Sequence, residues 1–285
     1  MQQSLTPAHV SIIPPPHILQ RDIECFMVFE HQNDDASEIR ITPNAAPGLV
    51  FHHLHGQPAI DSISTRSASL QLSSGLMVFG AGAEPSVMRF NRGVYTIIQV
   101  ILKPHALNSL LRLNAAVLAN DLVAIEELVP GSISYQLMET VSVWQQVDQI
   151  SALLIQWLKQ SNERDLLIEE SLRLIHKHAA SASVGQLVNH FYISERQFER
   201  RFKQVVGMSA QSYIRVKRFN QALRCIAARR YQRLTDLAHA LNYHDQSHFI
   251  REMKTFTGKT PRQLLQNSNI QEAQDGYVFA LDNSS

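Results

Sequence analysis

Two short stretches of the chain gather arginine, glutamine and other hydrogen-bonding side chains at matching places. The first holds Arg196, Gln197, Glu199 and Arg200; the second holds Gln246, Ser247, His248 and Arg251. A guanidinium can bond bidentately to O6 and N7 of guanine, and a carboxamide to N6 and N7 of adenine, so both groups suit the floor of a DNA major groove. Lys203 and Lys254, further along each stretch, suit phosphate oxygens, which position a protein without carrying sequence information. Ser194, Arg201, Lys217, Arg218 and Lys259 complete the phosphate-directed set.

The elements that would carry these groups repeat. Phe198/Phe249, Phe202/Met253, Lys203/Lys254, Gly207/Gly258 and Ser209/Thr260 share one offset of 51 residues. Each copy reads as a short helix, a tight turn and a second helix, which is a helix-turn-helix. In the second copy Leu234, Leu237, Ala238 and Leu241 form the inner face of the first helix, and Asn242 takes the turn, where a positive φ is often needed. Asp245 caps the next helix, while Phe249, Met253 and Phe256 at i, i+4 and i+7 face inward. That leaves Gln246, Ser247, His248, Arg251 and Glu252 outward. In the first copy Ser194 is the cap and Phe198, Phe202 and Val205 or Val206 turn inward, leaving Arg196, Gln197, Glu199, Arg200 and Arg201 outside. Between the copies Tyr213, Val216, Phe219, Leu223 and Ile226 recur at helical spacing. A helix of about twenty residues at ~1.5 Å each spans roughly 30 Å, close to the ~34 Å between successive major grooves on one face of B-DNA.

Charge follows the same division. The formal net charge is +1, but residues 1–165 hold 9 Lys+Arg against 15 Asp+Glu, residues 166–266 hold 17 against 7, and residues 267–285 hold none against 3. Cations concentrated over one region would neutralise DNA phosphates and release condensed counterions. The 285 residues suggest two domains, and a hydrophobic fraction of 45% allows real cores. Two cysteines, Cys25 and Cys225, far apart, support neither a disulfide framework nor a zinc cluster. No signal peptide or membrane span is legible, which makes a reducing cytoplasm the expected location.

Residues 1–17, ending in Pro14-Pro15-Pro16, read as an extended arm. Strands are expected at Ile23–Glu30, Gly48–His53, Ala68–Leu72, Leu76–Phe79 and Val94–Leu102, making a small sheet or barrel. Helices follow at His105–Leu113 and at Leu122–Val129, the latter capped by Asn120 or Asp121. Leu137, Val141, Trp144, Val147, Ile150, Leu154 and Trp157/Leu158 define one long amphipathic helix, with packing on its own sheet and self-association both open as its use. Ser161-Asn162-Glu163 reads as the linker. The domains are then 1–162 for sensing or dimerisation, 163–266 for DNA binding, and a loose tail at 267–285. The class is α+β: an N-terminal β-rich sheet or barrel followed by helices, then an all-α domain.

With these residues in place, 166–266 resembles the DNA-binding domain of the AraC/XylS family of bacterial transcription regulators. The run Asp245-Gln-Ser-His-Phe-Ile-Arg-Glu-Met-Lys254 with Gly258-Lys-Thr-Pro261 matches its most specific stretch, and Ser194–Phe202 with Arg218-Phe219 matches the first half. The resemblance implies seven helices, two helix-turn-helix units joined by a long helix, and specific promoter DNA as the ligand. It places base contacts on Arg196, Glu199 and Arg200, and on Gln246, Ser247, His248 and Arg251. The sequence departs from the family at Val188, where a small residue is usual, at Tyr192 and Asn242 where glycine is usual, and at Met253 in place of phenylalanine. The N-terminal half is similar to the uncharacterised sensor-like domains that precede this domain in some relatives. Partners follow from the resemblance: double-stranded promoter DNA, an unknown small-molecule effector, RNA polymerase, and a second copy of the chain, with no membrane.

Three other readings exist. His52-His53-Leu54-His55 with Asp61 invites a cupin-like metal site, but no later histidine in 87–102 would complete it. A DNA-repair alkyl transferase carrying a related helix-turn-helix would need an activated cysteine, and both cysteines lie in apolar, core-like runs. A constitutive DNA-bending protein would not need an acidic half of 165 residues. No catalytic residues, no metal and no cofactor are expected.

Overall fold

The computed structural model describes residues 9–31, 37–54, 58–67, 69–72, 75–129, 131, 133–160, 164–266, 270–273 and 276–280. The N-terminal half contains ten strands: β1 (His9–Ile13), β2 (Ile23–His31), β3 (Ser37–Ile41), β4 (Gly48–His53), β5 (Ile60–Ser64), β6 (Ser69–Gln71), β7 (Leu76–Phe79), β8 (Ser86–Phe90), β9 (Tyr95–Leu102) and β10 (Leu122–Ala124). Two more, β11 (Ile270–Ala273) and β12 (Gly276–Ala280), come from the C-terminal end. They form two antiparallel six-stranded sheets, ordered β1-β2-β9-β4-β7-β10 and β11-β12-β3-β8-β5-β6.

Alternation along the central strands sets the layers. On β9, Ile98, Val100 and Leu102 face a core shared with helices, while Tyr95 and Ile97 face the second sheet. β4 and β7 divide likewise, Leu49, Phe51, Leu76 and Val78 on one side against Val50 and Met77 on the other. Each such buried side chain contributes roughly 1.5–3 kcal/mol. Gly48 is required where β4 meets its neighbours: a Cβ there would stand 2.5 Å from the Phe79 ring and still closer to the Val100 carbonyl oxygen.

The helical layer consists of α1 (Ala106–Leu111), α2 (Ile125–Leu128), α3 (Ile133–Glu139) and α4 (Val143–Lys159). Leu137, Val147, Ile150, Leu154 and Trp157 pack on the first sheet, which is the use of the apolar stripe that the structure displays. The stripe is two helices, however, not one. Thr140 turns its hydroxyl back to the Gln136 carbonyl, and the buried Gln146 amide donates to the carbonyls of Leu137 (3.0 Å) and Thr140 (2.7 Å), so α3 ends by side-chain capture of its last acceptors. Val141 and Trp144 are left exposed.

Other expectations shift in the same physical way. All five expected strands are present, and five more lie among them, most of them half-exposed strands without dense β-branched runs. The segment 9–13, expected as an arm, pairs along β2. Leu122–Val129, expected as a helix, begins as β10 because Leu122–Ala124 pairs with β7, and the helix is only α2. Asn120 takes a positive φ of 58° instead of capping. In the expected loose tail, β11 and β12 form a hairpin, and β12 adds to the edge of β3 with Val278 opposite Ile41. The expected linker at 161–163 lies outside the described residues, as do 1–8 of the arm.

The C-terminal region has seven helices: α5 (Leu166–Lys177), α6 (Val184–Phe191), α7 (Glu195–Val206), α8 (Ala210–Ala227), α9 (Leu234–Ala240), α10 (Gln246–Thr257) and α11 (Pro261–Gln266). Phe198, Phe202, Phe219, Phe249, Met253 and Phe256 share one core. Ala45 and Ala81 of the N-terminal half belong to it too, so the two halves meet over an apolar seam.

Candidate nucleic-acid interface

Both units are built from local rules. Ser194 Oγ accepts the Gln197 N–H (3.3 Å) and Asp245 Oδ1 the His248 N–H (2.7 Å), so α7 and α10 start where the expected caps stand. The His248 N–H, with help from His244, holds the Asp245 carboxyl below the usual carboxylate range. Tyr192 and Asn242 take the left-handed turns, with φ of 54° and 58°. Tyr192 is the costlier choice, since its Cβ meets the strain that asparagine better tolerates. The second turn is one residue longer: the first helices are offset by 50 residues (Leu187/Leu237), the recognition helices by 51.

With Phe198 and Phe202, or Phe249 and Met253, locked in the core, helical geometry sets what faces out. Arg196, Arg200 and Lys203 form an exposed stripe at i, i+4 and i+7 on α7; Ser247, Arg251 and Lys254 form the same stripe at the same positions of α10. Gln197 is exposed beside the first; Gln246 and His248 are half-buried beside the second. Gln246 Oε1 accepts from Thr235 Oγ1 (3.5 Å) at the start of α9, and the His248 ring stands edge-on to Tyr243. Burial, followed by the Glu252 charge, pushes the Tyr243 phenol well above its usual range. Lys259 is half-buried, and Arg218 lays its guanidinium over the Tyr243 ring at 5.9 Å. α8, at 18 residues, is about 27 Å long.

Several residues expected on the DNA side are engaged within the protein instead. Glu199 Oε2 accepts the Ala210 N–H (3.0 Å) and closes the start of α8. Arg201 makes two bonds to Asp165, 2.7 and 2.9 Å, at the entry to α5. Lys217 is only 8% exposed and donates to the Asn44 carbonyl (3.1 Å) in the N-terminal half. Glu252, expected outward, is 6% exposed; it accepts from Arg215 Nε (2.9 Å) and lies 3.6 Å from His248 Nε2. Each partner is 11 or more residues away in sequence, except His248, so no local pattern announced them.

The N-terminal half touches both units at the same point. Gly207 and Gly258, the left-handed C-caps of α7 and α10 (φ 92° and 75°), face it directly. A Cβ on Gly207 would stand 2.9 Å from the Ala115 carbonyl oxygen in the 3-10 turn Ala115–Leu118, and one on Gly258 would collide with the Arg40 guanidinium. Arg66 Nη2 also donates to the Thr255 carbonyl (3.0 Å) near the end of α10. A third junction is ionic. Asp22, 1% exposed, binds Arg164 (2.9 Å) and Ser109 (2.7 Å), with His105 Nε2 at 3.4 Å, and Arg164 continues to Glu169 (2.6 Å). Burial pushes the Asp22 carboxyl up, but the bonds from His105, Arg164 and Ser109 outweigh it and hold it well below the usual range.

In the histidine stretch considered for metal, His52 is buried and its Nδ1 accepts the Ile60 N–H (3.2 Å); His55 lies outside the described residues. No group of three or more potential ligands occurs among the described residues. Cys25 is buried in β2 and Cys225 is half-buried on α8. No described helix is long and apolar enough to cross a membrane.

Residues 187–267 match the family described as a helix-turn-helix domain, and residues 11–124 match a domain of unknown function, DUF6597. The F1 operon positive regulatory protein of Yersinia pestis is 36% identical over 110 residues, which are 37% of this chain and 34% of that protein. The chain thus spans about a third of the length of the curated relative it matches. Among solved structures, ToxT from Vibrio cholerae aligns over 85% of this chain and 97% of its own at 13% identity and a TM-score of 0.47. The DNA-binding domain of AdpA, a global transcriptional factor solved with a target DNA, aligns over 35% and 89% at 20% identity and a TM-score of 0.33. Two capped units on one connecting helix, with the family match laid over them, make the C-terminal region of this chain a double helix-turn-helix domain of the AraC/XylS type, joined to an N-terminal domain of unknown function.

Proposed function

We propose that the chain is a sequence-specific DNA-binding transcription regulator whose two recognition helices, α7 and α10, enter adjacent major grooves of promoter DNA. The observation that carries this is the duplicated stripe: Arg196, Arg200 and Lys203 recur as Ser247, Arg251 and Lys254, exposed at the same three positions of two helices held by one stiff rod. Arg196, Gln197, Arg200, Gln246, Ser247, His248 and Arg251 read base edges, with Lys203, Lys254 and Lys259 on phosphates. Glu199, Arg201 and Lys217 fix the frame. Ser194 serves first as a cap, and Arg218 as a brace on Tyr243.

The N-terminal domain, acidic and seated on both units, senses a small molecule, pairs with a second copy, or both, and shifts the population of DNA-competent arrangements. RNA polymerase is the further partner, the compartment is the cytoplasm, and the chain performs no catalysis. Selection of duplexes from a randomised library by the full chain, followed by footprinting, tests the reading. Two protected major-groove segments about 10 base pairs apart are expected; absence of any protected segment at ~100 mM salt overturns it.

A further inference from the structure

No Asp or Glu occurs between Glu199 and Asp236, while ten Lys or Arg do. Seven of these cations are accounted for: Arg201, Arg215, Lys217, Arg218 and Arg224 have partners within the protein, and Arg200 and Lys203 lie on the α7 stripe. Three remain together in the six-residue connector between α8 and α9, Ala228-Arg229-Arg230-Tyr231-Gln232-Arg233. Arg229, Arg230 and Arg233 are all exposed, and among the described residues none of the three forms an ion pair.

From this cluster we infer that the connector is a separate phosphate clamp, outside both recognition helices, that adds affinity without reading sequence. The inference rests on the DNA-binding reading above. Three features support it. The connector's backbone is pinned to the end of α8 by bonds from the Arg229 N–H to the Ile226 carbonyl (3.0 Å) and from the Arg230 N–H to the Cys225 carbonyl (2.9 Å), so the guanidiniums project from a fixed base. Arg229 holds a positive φ of 51°, a conformation that is sterically costly for a residue with a Cβ. Arg233 immediately precedes α9, where a cation opposes the helix dipole. Dipole complementation at the end of α8 could account for Arg229 alone, never for Arg233.

Placement completes the argument. Thr235, two residues past Arg233, donates its hydroxyl to Gln246, the first residue of α10. The connector therefore ends beside the DNA-facing end of the second recognition helix, where a duplex seated on α10 brings its backbone past it. Guanidiniums there meet phosphate oxygens in a fork geometry.

The test compares the full chain with the triple variant Arg229→Ala/Arg230→Ala/Arg233→Ala and the triple variant with lysine at the same three positions. Binding is measured between ~50 and ~200 mM salt to two labelled duplexes of roughly 30 base pairs, one recovered by library selection and one of mixed sequence. The alanine triple should lose about two to three units of slope in log affinity against log salt, since each neutralised phosphate contributes ~0.9. Loss on both duplexes should be equal, so the ratio between them stays unchanged. The lysine triple should keep the native slope. A native slope in the alanine triple, a loss confined to the selected duplex, or an equal loss in the lysine triple each overturns the clamp while the DNA-binding reading stands. Failure of the unaltered chain to bind either duplex overturns both. If the alanine triple does not fold, Arg233→Gln, expected to lose about one unit of slope, decides the question.

Discussion

The two helix-turn-helix units present the same outward stripe and are fastened in different ways. α7 is tied by a charged side chain, Arg201, to Asp165 at the entry to α5, next to the Asp22, Arg164 and Glu169 cluster. α10 is tied to α8, through Glu252 and Arg215, within its own domain. Both touch the N-terminal half, but among the described residues only the first is tied next to the ion cluster in which Arg164 holds the buried Asp22. The outward face of a duplicated reader is constrained by DNA, so it stays alike; the inward face is free to take up separate duties. A disturbance of the N-terminal half should therefore reach α7 before α10.

The strongest way to break that contrast is to remove the buried acid. Asp22→Ala leaves Arg164 without its most buried partner and should cost about 3 kcal/mol of stability in chemical denaturation, with hydrogen exchange rising in α7 more than in α10. Equal rises in both helices would erase the distinction between the two units. The pH dependence has a fixed sign. Because the folded carboxyl is held below its ordinary value of 3.8, its stabilisation is complete above that pH and fades as pH falls through and below it. Asp22→Asn should flatten the acid limb of the stability profile.

A smaller effect tests whether the two stripes read DNA alike. Arg200→Ala and Arg251→Ala should each cost about 1–3 kcal/mol on the selected duplex and relax preference at one base pair apiece. If only one of them does so, one unit alone carries sequence information. Lys203→Ala and Lys254→Ala should instead weaken all sequences similarly, each lowering the salt slope by about 0.9.

The smallest difference lies in the turns. Tyr192→Gly relieves a left-handed tyrosine and should raise the melting stability by about 1 kcal/mol, whereas Asn242→Gly should change it less, since asparagine visits that region readily. Equal gains would mean that the tyrosine pays no greater strain than the asparagine.

The contrast also explains what the sequence could disclose. Caps at Ser194 and Asp245, inward Phe198 and Phe249, and the left-handed turn at Asn242 were legible because each depends on neighbours within about one or two helical turns. The fate of individual charges was not. Whether Lys217 reaches DNA or the Asn44 carbonyl depends on a contact across 173 residues, and Arg201 on one across 36. The same limit applies to the sheets. Buried runs such as Leu76–Phe79 stand out, whereas His9–Ile13, at a sheet edge, and Ser37–Ile41, between β8 and β12, gain their identity mainly from the partners they lie against. The break between α3 and α4 is likewise made by one glutamine, invisible to a reading of apolar period.

Gly207 and Gly258 give the assembly a mechanical property. A rigid body resting on another at two places retains a swivel about the line through them, and the Asp22 to Glu169 cluster, the Lys217 bond to Asn44 and the Ala45 and Ala81 seam add further supports. Supports off that line make a seating without play, so a change of shape inside the acidic half has little room to dissipate in loose motion. It must either leave the cradle unaltered or alter the span between the two groove-reading helices, and that span is what a DNA site with fixed helical pitch measures.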